Sequence, residues 1–328
     1  MSLDLYGVGN ALVDLVFGVE DDVVSNMGLE KGIMTLASLS HQNHLLEELG
    51  DTSVLRQSGG SAANTLAAVG HMGLSCHYAC RVANDELGQL FLKDLKEAGV
   101  ETHKAIYTGS RAGKTGFCIV LVSPDGERTL RTYLGVTAHL SPTDVHEDIL
   151  AKARMVYAEG YLMTSEQGYR TLIHTKKLAR KHGVKFVLSL SDPEVVDRNL
   201  GRFEDLLDHE DGIDILLGNG DEFKCLTRSS ALSKACRYLE PKVSSMAITL
   251  GSEGSWVVGN GKIFAIPAGP ARVVDTNGAG DIYAAGFMYS ILSGSNIYQA
   301  GSFASRLSSK LVSVWGPRLS KKELQNLS

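Results

Sequence analysis

The sequence has few of the features that mark nucleic-acid-binding, secreted or membrane proteins. Its formal net charge is -5 and it contains no run of lysines and arginines. That argues against a nucleic-acid partner, because neutralising phosphates needs clustered positive charge. The N-terminus, MSLDLYGVGN, lacks the cationic start and apolar block of a secretory signal. We therefore expect a cytoplasmic protein with no nucleic-acid or membrane partner.

The cysteines do not form a disulfide framework, since five of them, an odd number, are scattered at positions 76, 80, 118, 225 and 236. Reduced thiols in the core are the simpler interpretation. The stretch CHYAC (76–80) has two cysteines and a histidine but no second pair of ligands, so it is a weak candidate for a metal site. Its pattern is typical of a half-buried strand.

One long stretch, from Ile282 to Ser305, carries no formal charge and is longer than a membrane span requires. It is interrupted at SGSN (293–296) and contains several serines and tyrosines. These interruptions predict two buried helices rather than a bilayer-spanning segment.

The remaining pattern is that of a single large α/β domain over residues 1–328. Hydrophobic residues make up 44% of the chain and charged residues 21%, as in ordinary globular proteins. Short apolar runs alternate with amphipathic runs, which predicts a mostly parallel sheet flanked by helices. The predicted strands are 3–9, 184–190, 213–218 and 244–251, and predicted helices follow Asn84 and Ser165 and end at Gly99 and Gly183.

Two segments, approximately 11–37 and 104–135, show strand patterns without a helix between them. The second contains a hairpin signature with Pro124, Asp125 and Gly126 at its turn. Together they predict a small sheet projecting from the main body. Another hairpin is predicted to turn at Asn260-Gly261.

Two glycine-rich stretches resemble phosphate-binding loops but fail on spacing. In GSRAGKT (109–115) only three residues separate the glycines where a P-loop needs four, and an apolar strand pattern follows instead of a helix. After the first strand, Gly7 and Gly9 lack the third glycine of a dinucleotide fingerprint, because Leu12 occupies that position. A dehydrogenase is therefore disfavoured.

The stretch DTNGAGD (275–281) passes the same test. A strand is predicted at 271–274, and the apolar run that follows predicts a helix starting close to Gly278, Ala279 and Gly280. Unpaired N–H groups at a helix N-terminus attract anions, and small side chains let a phosphate reach them. Asp281 would then face the bound anion from the first helical turn. In isolation, such an aspartate is more often a simple cap.

Further motifs support the phosphate interpretation. GGSAANTLAAVGHMG (59–73) and DTNGAGDIYAAGF (275–287) closely resemble the two signature regions of the ribokinase family of carbohydrate and nucleoside kinases. NGDE (219–222) and TLGSEG (249–254) resemble two further motifs of the family and occur in the family's order. The resemblance implies a three-layer α/β/α fold with a mostly parallel central sheet and a small β lid. It also implies transfer of the ATP γ-phosphoryl group to an alcohol.

The resemblance implies a role for each matching residue. Asp281 resembles the catalytic base, and Gly278, Ala279 and Gly280 resemble the anion hole. Asn219, Thr249, Gly251 and Gly254 would contact ATP, and Glu222 would hold Mg²⁺ through water. A carboxylate near a helix N-terminus should stay ionised, so we expect Asp281 mainly to orient the hydroxyl and to take its proton late.

The acceptor is implied by a second group of residues. Asn10, Asp14, Gly59, Gly60 and Asn64 would surround a sugar, and Asp14 can accept hydrogen bonds from two adjacent hydroxyls.

GNALVD (9–14) and Asn277 resemble the adenosine kinase branch, in which Tyr161 would stack on a purine. A core tyrosine after a strand is an equally common role for Tyr161.

The leading prediction is phosphorylation of the primary hydroxyl of a purine nucleoside, with adenosine converted to AMP. A kinase for ribose, fructose or a related sugar is the first alternative, and a non-catalytic ligand-binding protein of the same fold is the second. VSVWGPRL (312–319) departs from the pattern near the family's monovalent-cation site, so K⁺ remains an open cofactor beside ATP and Mg²⁺. The sequence also leaves monomer and homodimer open.

Overall fold

The computed structural model describes residues 2–50, 55–109, 113–208 and 212–327. The strands are β1 Leu3–Val8, β2 Leu12–Gly18, β3 Met34–Leu36, β4 Leu55–Gly59, β5 Cys76–Ala79, β6 Val100–Thr102, β7 Gly116–Val122, β8 Arg128–Tyr133, β9 Ala153–Glu159, β10 Lys185–Ser189, β11 Ile213–Asn219, β12 Val243–Thr249, β13 Ser255–Gly259 and β14 Lys262–Ile266.

The helices alternate with these strands along most of the chain. They are α1 Asp21–Asn26, α2 Leu39–Leu49, α3 Ser61–His71, α4 Glu86–Glu97, α5 Glu147–Leu150, α6 Glu166–Lys181, α7 Pro193–Arg198, α8 Leu200–Asp208, α9 Gly220–Thr227, α10 Leu232–Leu239, α11 Ala279–Leu292, α12 Ile297–Leu311 and α13 Lys321–Leu327. Short 3₁₀ turns occur at Gly135–His139, Pro142–Asp144, Gly160–Thr164 and Gly251–Glu253.

The large sheet has the strand order β14-β13-β12-β11-β10-β9-β1-β5-β6. The seven strands from β12 to β6 in this order are parallel to their neighbours. Strand β13 is antiparallel to both β12 and β14. The β13–β14 hairpin turns at Asn260 and Gly261 as predicted, and both residues have positive φ angles. The alternating pattern in the sequence thus produced the expected parallel sheet.

Successive residues of the central strands face two different helical layers, because side chains alternate across a strand. Met155 and Tyr157 of β9 belong to the same apolar cluster as α3, α4, α11, α12 and α13. Their neighbours Val156 and Ala158 belong to the cluster that contains α5 to α10. This arrangement confirms the three-layer α/β/α fold.

A second, smaller sheet has the order β3-β8-β7-β2-β4. It draws strands from both predicted segments, with the β7–β8 hairpin turning after Ser123, but differs in two respects. Helix α1 lies inside segment 11–37, which was expected to be all strand, and β4 comes from outside both segments. Two first-turn acids, Asp21 and Asp22, favour α1. The role of this small sheet as a lid remains a prediction.

Other local expectations were corrected or confirmed. Residues 271–274 form no strand: they are exposed, and Val274 donates instead to the carbonyl of Val312 at 2.7 Å. The cap of α4 is Asp85 rather than Asn84, because Asp85 accepts from Gly88 N–H. Helices α11 and α12 flank 293–296 as expected, and no helix in the described parts of the chain has the length and apolar content to cross a bilayer.

The cysteines are free, and β5, which includes Cys76, is entirely buried rather than half-buried. Among the described residues, no group of three or more potential metal ligands occurs. In the stretch 109–115, residues 110–112 lie outside the described residues.

Candidate active site

A cavity of about 660 Å³ lies where the carboxyl ends of the parallel strands meet the small sheet. Ligands bind at this edge of a parallel sheet in α/β proteins generally. Most of the candidate residues line it, namely Asn10, Asp14, Gly60, Asn64, Tyr161, Asn219, Glu222, Thr249, Asn277, Gly278, Ala279, Gly280 and Asp281. Gly59, Gly251 and Gly254 do not line the cavity.

The loop before α11 leaves backbone N–H groups open to the cavity. Within the described residues, the N–H groups of Gly278, Gly280 and Asp281 have no hydrogen-bond partner, since the first helical donor is Ile282. A methyl group on Gly280 would meet no atom within 4 Å. Ala279 differs from the prediction, because its N–H donates to the carbonyl of Thr276 at 3.2 Å as the turn closes.

Gly278 is required by the turn itself. Its φ angle is 72°, and a methyl group there would lie 2.3 Å from the carbonyl oxygen of Pro317. The C-terminal segment is therefore packed directly against the loop that forms the anion cradle, which we define as the N–H groups of Gly278, Gly280 and Asp281.

Asp281 is held at the cavity wall by helix α3. Its carboxylate accepts hydrogen bonds from Ser61 Oγ at 2.7 Å and from Asn64 Nδ2 at 3.0 Å. Burial raises the pKa of Asp281, which the helix N-terminus considered alone did not predict. Asp281 is thus a carboxylate whose affinity for a proton is increased by its surroundings.

Asp14 reaches the cavity from β2 in the small sheet and is 7% exposed. A methyl group on Gly59 would lie 2.3 Å from Asp14 Oδ1, so Gly59 provides space for this carboxylate instead of lining the cavity itself. Burial raises the pKa of Asp14 to about 6, although the positive charges of Arg318 and Arg128 act in the opposite direction.

Glu159, at the end of β9, is a cavity residue that the sequence analysis missed. It is 1% exposed and accepts from Asn10 N–H at 2.8 Å, Asn10 Nδ2 at 2.7 Å and Ala62 N–H at 2.8 Å. These hydrogen bonds join the β1–β2 connection to the start of α3. Burial raises the pKa of Glu159 to about 7. A carboxylate directly after the apolar stretch MVYA was a signal that could have identified it.

At the other end of the cavity, Asn219 and Glu222 form a capping box for α9. Asn219 Oδ1 accepts from Glu222 N–H at 2.9 Å, and Glu222 accepts from Asn219 N–H at 3.0 Å and Nδ2 at 2.7 Å. Glu222 is 4% exposed, and burial raises its pKa to about 7. The amide of Asn219 is therefore occupied by its own helix.

The glycines of the neighbouring loop have structural explanations. Gly254 is buried with a φ angle of 94°, and a methyl group there would lie 2.1 Å from the carbonyl oxygen of Ile266. Gly251 is exposed with a φ angle of 59°. Thr249, which does line the cavity, lies within 3.5 Å of the Gly218 carbonyl.

Three contacts of Asp275 hold the loop before α11 in place. Asp275 accepts from Asn277 N–H at 3.0 Å and from Gly316 N–H at 2.7 Å, and it forms a two-pronged ion pair with Arg128 of β8. Arg128, which the sequence analysis did not identify, thus ties the small sheet to the loop before α11.

Tyr161 lies in a 3₁₀ turn, and burial raises its pKa well above the usual value, so its phenol is neutral.

The comparisons with known proteins agree with this geometry. Residues 40–324 match the pfkB family of carbohydrate kinases. The chain belongs to this family. It is therefore a sugar or nucleoside kinase, and the resemblance to ribokinase-like enzymes is confirmed.

Solved structures resemble the whole chain. A probable sugar kinase from Rhizobium etli is 30% identical, with 99% of this chain and 98% of that chain covered and a TM-score of 0.91. An adenosine kinase from Sinorhizobium meliloti is 31% identical with the same coverage and a TM-score of 0.90.

A relative found by sequence, an uncharacterized sugar kinase from Archaeoglobus fulgidus, is 27% identical over 250 residues, which cover 75% of this chain and 95% of that protein.

Proposed function

We propose that this kinase transfers the γ-phosphoryl group of ATP to the primary hydroxyl of a purine nucleoside, most simply adenosine to give AMP. The observation that carries the proposal is that one cavity brings together Asp281, the anion cradle and Asp14. These supply a proton acceptor, donors for a migrating phosphoryl group and a carboxylate that can bind adjacent hydroxyls.

In the proposed reaction the acceptor hydroxyl oxygen forms a bond to the γ-phosphorus while the bond from that phosphorus to the bridging oxygen of ADP breaks. The hydroxyl proton passes to the carboxylate of Asp281. The N–H groups of Gly278 and Gly280 donate to the phosphoryl oxygens during transfer. A loose transition state needs little basicity, so positioning by Ser61 and Asn64 matters most.

Glu222 is the cavity residue that would hold Mg²⁺. Magnesium is commonly bound by one or two carboxylates, several waters and substrate phosphates, so a cluster of protein ligands is not required. When bound, it would neutralise phosphate charge and orient the γ-phosphoryl group. Glu222 would bind through a water molecule, because both of its oxygens already accept from Asn219.

The cavity wall favours a nucleoside acceptor over a free sugar. Several apolar side chains from the small sheet and its connections line the same cavity as Asp14, namely Leu12, Met34, Leu36, Leu130 and Leu134. A sugar covered with hydroxyls would leave these side chains without matching surface, whereas a purine offers flat apolar faces. Tyr161 lines the same cavity and can stack on such a ring.

A sugar kinase is the second candidate, and two of the relatives favour it. The proteins from Archaeoglobus fulgidus and Rhizobium etli are described as an uncharacterized and a probable sugar kinase. Asp14 would accept hydrogen bonds from the hydroxyls of a free sugar equally well. The adenosine kinase from Sinorhizobium meliloti supports the nucleoside alternative.

Release of ADP should be measured with adenosine, guanosine, inosine, ribose and fructose as acceptors, with Asp281→Asn as the inactive control. We expect turnover with purine nucleosides at the lowest concentrations. Turnover with sugars alone would replace the nucleoside proposal by the sugar kinase. Ligand binding with no turnover for any acceptor would favour a non-catalytic protein.

A further inference from the structure

The C-terminal segment 312–319 has no assigned role in the proposed reaction, yet it lies against the anion cradle. Its backbone contacts the loop before α11 at several points: Val312 accepts from Val274 at 2.7 Å, and Gly316 donates to Asp275 at 2.7 Å. Arg318, two residues after Gly316, is thereby placed beside helix α3 at the cavity wall.

Arg318 is a mostly buried cation, with its side chain 14% exposed. Its Nε donates to Asn64 Oδ1 at 2.8 Å, and its Nη1 donates to Asp94 Oδ2 at 3.1 Å. Asp94 also accepts from Ser58 N–H at 3.0 Å, next to the glycine that makes room for Asp14. Arg318 therefore connects the C-terminal segment, α3, α4 and the small sheet.

The contact with Arg318 determines which way the Asn64 amide points. A guanidinium group has donors only, so the atom of Asn64 that faces it must be the carbonyl oxygen. The amide nitrogen is then directed at Asp281 Oδ2, at 3.0 Å. An ionised carboxylate has acceptors only, so both contacts require the same orientation of Asn64. Without Arg318 only the contact with Asp281 would hold the amide in this orientation, and the oxygen side of the amide would lose its donor.

The charges around Asp281 come from several elements. The titratable groups that interact with it are Asp14 on β2, Tyr78 on β5, Tyr157 and Glu159 on β9, Tyr161 in the 3₁₀ turn and Arg318. Burial raises the pKa of all three tyrosines, so they are neutral. Arg318 is the cation in this group, and its charge opposes the effect of burial on the pKa of Asp281.

We propose that Arg318 is a positioning residue for phosphoryl transfer, which acts by fixing the Asn64 amide so that it donates to Asp281. This inference rests on the proposed function and assigns a role to the segment 312–319. Arg318 acts through Asn64 and is not itself a catalytic residue.

The alternative is that Arg318 only anchors the C-terminal segment through its ion pair with Asp94. Asp94→Asn is the matched control, because it removes that ion pair while leaving a neutral acceptor and the Arg318–Asn64–Asp281 contacts. Arg318→Gln removes both the positive charge and the planar guanidinium group, whose fixed donors contact Asn64 and Asp94. Arg318→Lys keeps the charge but loses that fixed arrangement of donors.

The experiment measures kcat and its pH dependence for the wild type and the three variants, with thermal unfolding of each. For Arg318→Gln we expect kcat to fall by about tenfold or more. Loss of the cation raises the pKa of Asp281, and activity is lost as pH falls through that pKa. The midpoint of the acidic limb should therefore move up by about one pH unit.

Arg318→Lys should restore the acidic midpoint but only part of kcat, and Asp94→Asn should retain both. Equal losses in all variants, in proportion to their loss of stability and with an unchanged midpoint, would show that the role is only structural. If the wild type transfers no phosphoryl group to any nucleoside or sugar, the proposed function fails together with this inference. If the wild type is active and Arg318→Gln matches it, only this inference fails.

Discussion

The two ends of the cavity are held together in different ways. At the proposed acceptor end, which contains Asp14, Asn64 and Asp281, the contacts join parts of the chain that are far apart, such as Asn64 with Asp281 and with Arg318. At the proposed nucleotide end, which contains Asn219 and Glu222, the two side chains bond to each other within one helical turn. The geometry of the acceptor end therefore depends on the whole fold, whereas that of the nucleotide end depends only on the first turn of α9.

This difference predicts where substitutions act. Changes at the acceptor end should reduce transfer or acceptor affinity with a smaller effect on local structure, because their partners lie on several elements. Changes at the nucleotide end should first weaken the start of α9, because the same side chains cap that helix.

The largest effect is expected for Asp281→Asn. Turnover should fall by about 10²- to 10⁴-fold, because the amide cannot take the hydroxyl proton. Nucleoside affinity, measured by calorimetry, should stay close to that of the wild type. Full turnover in this variant would remove the assignment of Asp281 as the proton acceptor.

The next effect tests the opposite wall of the acceptor end. Asp14→Asn should raise the KM for the acceptor by about 10- to 100-fold, because hydrogen bonds from two hydroxyls to a charged carboxylate are lost. Steady-state kinetics with adenosine and 2′-deoxyadenosine would check this. In the wild type the deoxy substrate should be the poorer one, and that preference should shrink in the variant. An unchanged preference would show that Asp14 does not bind the diol.

Gly278→Ala and Gly280→Ala form a matched pair within the anion cradle. Gly278→Ala should cost about 1 to 3 kcal/mol of stability, because its φ angle is 72° and the methyl group would contact Pro317. Gly280→Ala should leave stability nearly unchanged and lower kcat, because its methyl group projects into open space beside the free N–H groups. Urea unfolding and kcat measurements separate the two effects. A reversed pattern would contradict the cradle geometry.

The smallest effect is expected at the nucleotide end. Asn219→Ala should lower the free energy of unfolding by about 1 kcal/mol, because the N-cap of α9 is lost, and Asn219→Ser should recover most of it. The KM for the acceptor should not change in either variant. A larger loss of acceptor affinity than of stability would mean that the two ends are not independent in the way described above.

The same contrast explains how much could be predicted from the sequence. The parallel strands, the start of α11 and the Asn219–Glu222 pair are local patterns, and the structure contains them. Arg318 and Arg128 were missed because their partners are more than 90 residues away in the chain, and no local pattern carries that information. The partners of Glu159 are equally distant, and its position directly after the apolar stretch MVYA was the one local signal.

Local patterns were also wrong where tertiary contacts decided the outcome. Residues 271–274 have the β-branched composition of a strand but lie against Val312 instead of joining a sheet. Ala279 was expected to offer its N–H to an anion, yet the turn uses that group for Thr276. Gly59 was expected to touch substrate, and it instead makes room for Asp14.

The most direct test of the central claim follows the phosphoryl group itself. ATP radiolabelled in its γ-phosphate should be incubated with adenosine and with the wild type or Asp281→Asn, and the products separated. The account predicts that the wild type places the label on the 5′-hydroxyl of adenosine and that Asp281→Asn does not. Labelled product at equal rates in both proteins, or no transfer by the wild type to any nucleoside or sugar, would contradict it.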